Sequence, residues 1–111
     1  MYPRQIAKEV QKLCEDKKGQ DVLILDVRKL TDITAYFVIV SGNSTRHVHA
    51  LGEHIRDGMK QKKVRPWHVE GQSEAKWIVL DYGDVIVHVF YTHTRKYYNL
   101  ERLWGDAPRV S

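Results

Sequence analysis

Two seven-residue runs, Ala35 to Ser41 and Val85 to Tyr91, place apolar side chains on both faces of an extended chain. In the second run Val85, Val87, Val89 and Tyr91 share one face, and Ile86, His88 and Phe90 share the other. A strand that is apolar on both sides must be covered on both sides, so each run reads as an interior strand of a layered sheet. This requirement predicts an α/β fold with a mixed central sheet flanked by helices.

The flanking segments supply the other layers. Ile6, Val10 and Leu13 recur at i, i+4 and i+7, with Ala7 and Cys14 alongside, which marks an amphipathic helix. Pro3 suits its first turn and Lys17-Lys18-Gly19 its end. Asp21 to Val27 reads as a strand, and Arg28 to Thr34 as a polar loop or bend. Ser44 or Thr45 caps a second helix carrying Val48, Leu51, Ile55 and Met59. Gly52 and Gly58 lower its helix propensity by roughly 1 kcal/mol each relative to alanine, so packing against the sheet must hold it. Gly52, beside Leu51, reads as a point of close approach to the sheet. Arg65-Pro66 makes its continuation unfavourable.

Trp77 to Leu80 pairs with Val85 to Tyr91 as a hairpin around Tyr82-Gly83, where glycine accepts a positive φ. Thr92 or Thr94 caps a final helix with Tyr97, Leu100 and Trp104 on one side. Gly105 ends it, and residues 105–111 read as a loose C-terminal tail. The predicted order is α-β-β-α-β-β-α in a single domain over residues 1–111.

Composition narrows the class. A chain of 111 residues with 42% hydrophobic and 29% charged side chains is an ordinary globular domain with one core. No apolar run approaches the ~20 residues of a membrane span. Met1 to Ile6 lacks the apolar core of a signal peptide. The single Cys14 fits a reducing compartment and lies on an apolar helix face, where a structural role is expected. These features predict a cytoplasmic protein, or an organelle-matrix one where a presequence has been removed. The net charge of +4 is spread over Lys17-Lys18, Arg28-Lys29, Lys60 to Arg65 and Arg95-Lys96, which reads as a solvated basic surface.

Catalytic patterns are poorly supported. Ser41-Gly42-Asn43-Ser44-Thr45-Arg46 could cradle a phosphate at a helix start, yet it lacks the lysine and second glycine of a phosphate-binding loop. Nucleotidyl transfer would also need closely spaced carboxylates holding Mg²⁺. Asp81 and Asp84 flank a turn and need not converge. His47, His49 and His54 lack the i, i+4 spacing of a helical zinc pair. His88, on a strand, reads as a core histidine satisfied by a hydrogen bond, with Asp81 or Asp84 as candidate partners.

The C-terminal half instead concentrates side chains typical of binding surfaces. Trp67, Trp77 and Trp104 are many tryptophans for this length, each either core or surface. Tyr82 at a hairpin tip is expected to face solvent. Arg95, Lys96, Tyr98, Glu101 and Arg102 are expected to form a charged helix face beside the aromatics.

An ordered set of motifs resembles the ribosomal silencing factor, or Iojap-like, family. It comprises Asp32-Ile33-Thr34, Tyr36 to Gly42, Ser44-Thr45-Arg46-His47-Val48, Glu70-Gly71, Trp77, Asp81 to Val89, Arg95, Tyr98, Leu100-Glu101 and Leu103-Trp104. Each motif alone is weak, and the ordered set is specific. The resemblance implies a minimal nucleotidyltransferase-like core without catalytic acids and no cofactor. It further implies binding to the large ribosomal subunit at ribosomal protein fourteen, a block to subunit joining, lowered translation when nutrients are scarce, and homodimers. Where the family usually has an acidic residue, this chain has Ala35. Candidate partner contacts are Trp77, Tyr82, Arg95, Tyr98, Glu101 and Trp104, with Arg46 as a polar contributor. Naked nucleic acid is not an expected specific partner. The alternative is a nucleotidyltransferase-like enzyme or nucleotide-binding protein using Ser41 to Arg46 and Asp81 or Asp84.

Overall fold

The structure, a computed structural model, describes residues 1–110. Its elements are α1 (Pro3–Asp16), β1 (Gln20–Asp26), β2 (Tyr36–Gly42), α2 (Thr45–Gln61), β3 (His68–Glu70), β4 (Trp77–Asp81), β5 (Val85–Tyr91), α3 (Thr92–Tyr98) and α4 (Leu100–Leu103). The five strands form one sheet in the order β1-β2-β5-β4-β3. The β2–β5 pair is parallel and its neighbours are antiparallel, so the two strands apolar on both faces are the central pair.

Period-2 alternation sorts their side chains. Val38, Val40, Val85, Val87 and Val89 face the layer formed by α1 and α2, against Val10, Leu51, Ile55 and Met59. Each such side chain fully buried is worth roughly 1.5–3 kcal/mol. Phe37, Ile39 and Phe90 face the opposite way, towards Leu25, Val27 and Ala107. Ser44 caps α2, its Oγ accepting from the His47 amide at 3.0 Å. Gly52 permits the predicted close approach, since a methyl there would lie 3.2 Å from Ile78 Cδ1.

Three expectations need correction. The short edge strand β3 was not foreseen, because three residues carry too little periodicity to register. The last helix is broken at Asn99, whose φ of 48° is left-handed, a conformation asparagine tolerates. The chain then turns back, so Tyr97 is 82% exposed and does not join Leu100 and Trp104 on one packed side. The C-terminal segment is also docked. The Asp26 amide donates to Pro108 O at 2.8 Å, the Val110 amide donates to Ile24 O at 2.9 Å, and Ala107 is buried. The free edge of β1 supplies the unpaired backbone groups that hold this segment.

Candidate functional site

The parallel β2–β5 pair sends Gly42 and Tyr91 out at the same end of the sheet, and Trp77 opens β4 there opposite Phe90. Because α3 follows β5 without a linker, its last residue, Tyr98, returns over Trp77. The two ring centroids are 4.8 Å apart, and Trp77 lies a further 4.8 Å from Phe90. Trp104 packs edge-on against Phe37 at 5.1 Å, and Phe37 meets His88 at 5.2 Å. The result is a connected aromatic group on the sheet face not covered by α1 and α2. Its inner members are buried, Trp77 and Trp104 are half-buried, and Tyr98 is 53% exposed. A cleft of about 630 Å³ beside it is lined by Lys76, Trp77, His93, Thr94, Tyr97 and Tyr98, among others.

His88 fixes the indole. Trp77 Nε1 donates to His88 Nδ1 at 3.1 Å, so Trp77, and neither Asp81 nor Asp84, is the partner. An indole nitrogen is donor only, so the neutral imidazole carries its proton on Nε2. Burial pushes the His88 pKa down to about 4, keeping the ring neutral. Its Nε2 has no partner among the described residues.

Arg95 is not on an exposed face: it is 9% exposed. Its Nη1 donates to Asp21 O at 2.8 Å and to Ser41 Oγ at 2.9 Å, while Nε donates to Glu101 Oε2 at 3.2 Å. Asp21 sits at the irregularity in β1 with a φ of 50°, which helps bring its carbonyl into the guanidinium's reach. The ion pair also depends on the break at Asn99. In one continuous helix residues six apart would point ~240° around the axis from each other. Arg95 therefore fastens the α3–α4 corner to the sheet. Glu101, partly buried, is held by it at the edge of the site.

Tyr82 does not face solvent. It is 6% exposed and packs within the layer facing α1 and α2. Gly83, with a φ of 85°, makes the turn that lets the Tyr82 ring fold back over the sheet. Burial raises the Tyr82 pKa to about 12, partly offset by the charge of Arg56. Its hydroxyl has no partner among the described residues. Arg46 is exposed in the first turn of α2. Among the described residues no ring contact, hydrogen bond or ion pair joins it to the aromatic group.

The pieces of a nucleotidyl-transfer site do not meet. Ser41 pairs in register with Phe90 and Asp81 with Ile86, four residues apart on β5 and thus ~13 Å along the strand. Ser41 Oγ is occupied by Arg95, and Asp81 Oδ1 accepts from the Gly83 amide at 2.7 Å. The α2 histidines also have separate tasks. His47 joins the Asn43 amide and Lys17 O, and His54 meets Asp16 at 3.4 Å. Cys14 is buried, and desolvation raises its pKa to about 12, which disfavours the nucleophilic thiolate.

Phe37, Phe90 and the role of His88 in orienting the Trp77 indole were missed as site components. Period-2 alternation already grouped His88 with Phe90. Strand order alone decided that Phe37 and Trp77 flank them. No helix is long and apolar enough to cross a membrane among the described residues.

Residues 2–111 match the protein family described as "Ribosomal silencing factor during starvation". The chain is 42% identical over 108 residues to "Ribosomal silencing factor RsfS" of Bacillus subtilis, covering 97% of this chain and 92% of that protein. It is 35% identical over 95 residues to the mouse protein "Mitochondrial assembly of ribosomal large subunit protein 1", covering 83% of this chain and 42% of that one. A crystal structure of a Chromobacterium violaceum protein superposes with a TM-score of 0.92 at 36% identity, covering 95% of this chain and 88% of the other.

Proposed function

The chain belongs to the ribosomal silencing factor family, and we propose that it docks on the large ribosomal subunit through ribosomal protein fourteen and thereby blocks joining of the small subunit. Membership implies ribosome-associated regulation of translation by a non-enzymatic protein. The repression this causes operates under nutrient limitation.

The observation that carries the docking reading is the tilted ring contact between Trp77 and Tyr98. The two form an aromatic pair half open to solvent, on a sheet face that α1 and α2 leave uncovered. Interface energy concentrates in such aromatic anchors, ringed by polar groups that exclude water. Trp77, Tyr98 and Trp104 are the anchors in this reading, and Glu101 is a polar contact at their edge. Arg95 acts by positioning Glu101 and the α3–α4 corner, and Tyr82 by holding the hairpin. Arg46 is a separate polar contributor at the same end of the sheet. The mouse relative's name refers to the large ribosomal subunit, which favours the same particle. A homodimer covering Trp77 or Trp104 would compete with docking, and the cytoplasm is the proposed location.

The direct functional test mixes purified small and large subunits with the protein and resolves the particles on a sucrose gradient. The expected result is loss of joined ribosomes in proportion to added protein. Undiminished joining at saturating protein would overturn the proposal.

A further inference from the structure

Trp67 is 82% exposed, yet its ring lies against Gly83. A methyl group at Gly83 would lie 3.0, 3.1 and 3.3 Å from Cη2, Cζ2 and Cζ3 of this indole. Near-equal distances to three contiguous ring carbons mean that one ring face lies flat over the glycine. The Trp67 amide donates to Asp81 O at 2.7 Å and Pro66 precedes it, so the backbone is fixed. The other face is open. A single exposed apolar residue is ordinary by itself.

The surrounding charge is not ordinary. Residues 56–68 hold five of the eighteen Lys and Arg residues but one of the fourteen Asp and Glu residues. The rest of the chain balances thirteen against thirteen, so this segment carries the whole net charge of +4. Lys62 pairs with Glu9 at 3.4 Å and Arg56 with Glu53 at 3.7 Å. Among the described residues Lys60, Lys63 and Arg65 have no ion-pair partner. Arg56, Lys60, Arg65 and Trp67 line one cleft of about 460 Å³, in which Glu53 and Asp57 are the acids.

We infer that this patch contacts single-stranded RNA, with a base stacked on the open face of Trp67 and phosphates beside Lys60, Lys63 and Arg65. Tryptophan offers a sequence-tolerant stacking platform, and adjacent cations track the backbone. Clustered lysine argues for phosphate over a protein partner, because lysine is depleted at protein interfaces. The inference rests on the large-subunit reading for the source of the RNA, which is an unpaired loop of that particle. The patch is separate from the aromatic site, as Trp67 adjoins Asp81 and Trp77 lies at the other end of β4. Three phosphate contacts give a slope of log affinity against log salt near −2, so binding to free RNA fades at physiological salt.

The test titrates the full chain with twelve-nucleotide oligouridylate and oligoadenylate at low salt, reading tryptophan quenching and filter retention. Saturable quenching is expected, with affinity roughly ten- to a hundredfold lower for Trp67→Ala, as expected for loss of a base stack. Tyr2→Ala, an exposed aromatic far from the patch in sequence, should bind as the parent does. Replacing Lys60, Lys63 and Arg65 together by Gln should flatten the salt dependence. Equal binding by Trp67→Ala, or no binding by the parent at low salt, would overturn the inference. So would a Trp67-dependent complex with purified ribosomal protein fourteen in the absence of RNA. Parallel pelleting with large subunits separates the two readings. A parent chain that binds oligonucleotide but not the subunit contradicts the docking proposal alone. A chain that pellets with the subunit whether or not Trp67 is present contradicts the RNA contact alone.

Discussion

The indole Nε1 of Trp77 donates to Nδ1 of His88 across the β4–β5 ladder at 3.1 Å, so a neutral, buried imidazole orients the central ring of the aromatic site. Burial of this imidazole makes stability depend on pH. The folded-state pKa of His88 is held down at about 4, against 6.5 for the free side chain. As pH falls below about 6.5 the unfolded chain takes up a proton that the folded chain refuses. The contribution is therefore complete above that pH and lost progressively towards pH 4, by up to about 3 kcal/mol. Urea unfolding between about pH 7 and about pH 4.5 should show this fall in the parent chain and a much flatter profile in His88→Gln. The same slope in both proteins would remove His88 as its source.

Tyr82 behaves as a core residue in this account. Tyr82→Ala should cost about 3–5 kcal/mol of stability, the usual range for a buried aromatic. Tyr82→Phe should be neutral or mildly stabilising, because the buried hydroxyl it removes has no partner. Thermal melts of the two variants decide the matter. A Tyr82→Ala protein that melts like the parent but loses its ribosomal partner would restore Tyr82 to the binding surface.

Arg95 joins β1, β2 and α4 through three hydrogen bonds. Arg95→Ala should lower stability by about 2–3 kcal/mol, in line with bonds to a charged group. Arg95→Lys should recover only part of this, since an ammonium cannot reproduce the guanidinium fork. Amide exchange at the α3–α4 corner should accelerate in both. Unchanged protection there would mean that the aromatic contacts hold the corner without Arg95.

Tyr98 is the converse case, in tilted ring contact with Trp77 yet more than half exposed. Tyr98→Ala should reduce affinity for purified ribosomal protein fourteen about ten- to a hundredfold, equivalent to 1–3 kcal/mol. Its melting point should move far less than that of Tyr82→Ala. Unfolding by this substitution would show that Tyr98 is core and that the partner is held elsewhere.

The contrast between these two tyrosines marks how far the sequence could be read. Apolar side chains on both faces of Ala35 to Ser41 and Val85 to Tyr91 were enough to predict two interior strands, with Ser41 and His88 as the buried polar exceptions, but not that the two strands pair with each other. Ser44, Gly52 and Gly83 announced a cap, a close approach and a turn through chemistry local to each residue. Tyr82 and Arg95 misled because their environments come from elements distant in sequence. Tyr82 folds back into the core shared with the helices, and the partners of Arg95 include Asp21 and Ser41. Asn99 gave no warning either, since its left-handed turn breaks no hydrophobic pattern. Of the candidate site, the aromatic residues were legible by type, while the sequence left Trp77 and Trp104 open between core and surface. The register bringing Phe37 and His88 beside them follows from strand order, which alternation does not encode.

The central claim, docking on the large subunit through the aromatic surface, is tested most directly by co-sedimentation with separated ribosomal subunits at physiological salt. The parent chain should pellet with large subunits and not with small subunits or naked ribosomal RNA, since phosphate contacts alone weaken steeply as salt rises. Tyr98→Ala, folded by its melting curve, should stay largely in the supernatant. Equal pelleting with both subunits, or pelleting with large subunits that Tyr98→Ala leaves intact, would contradict the account.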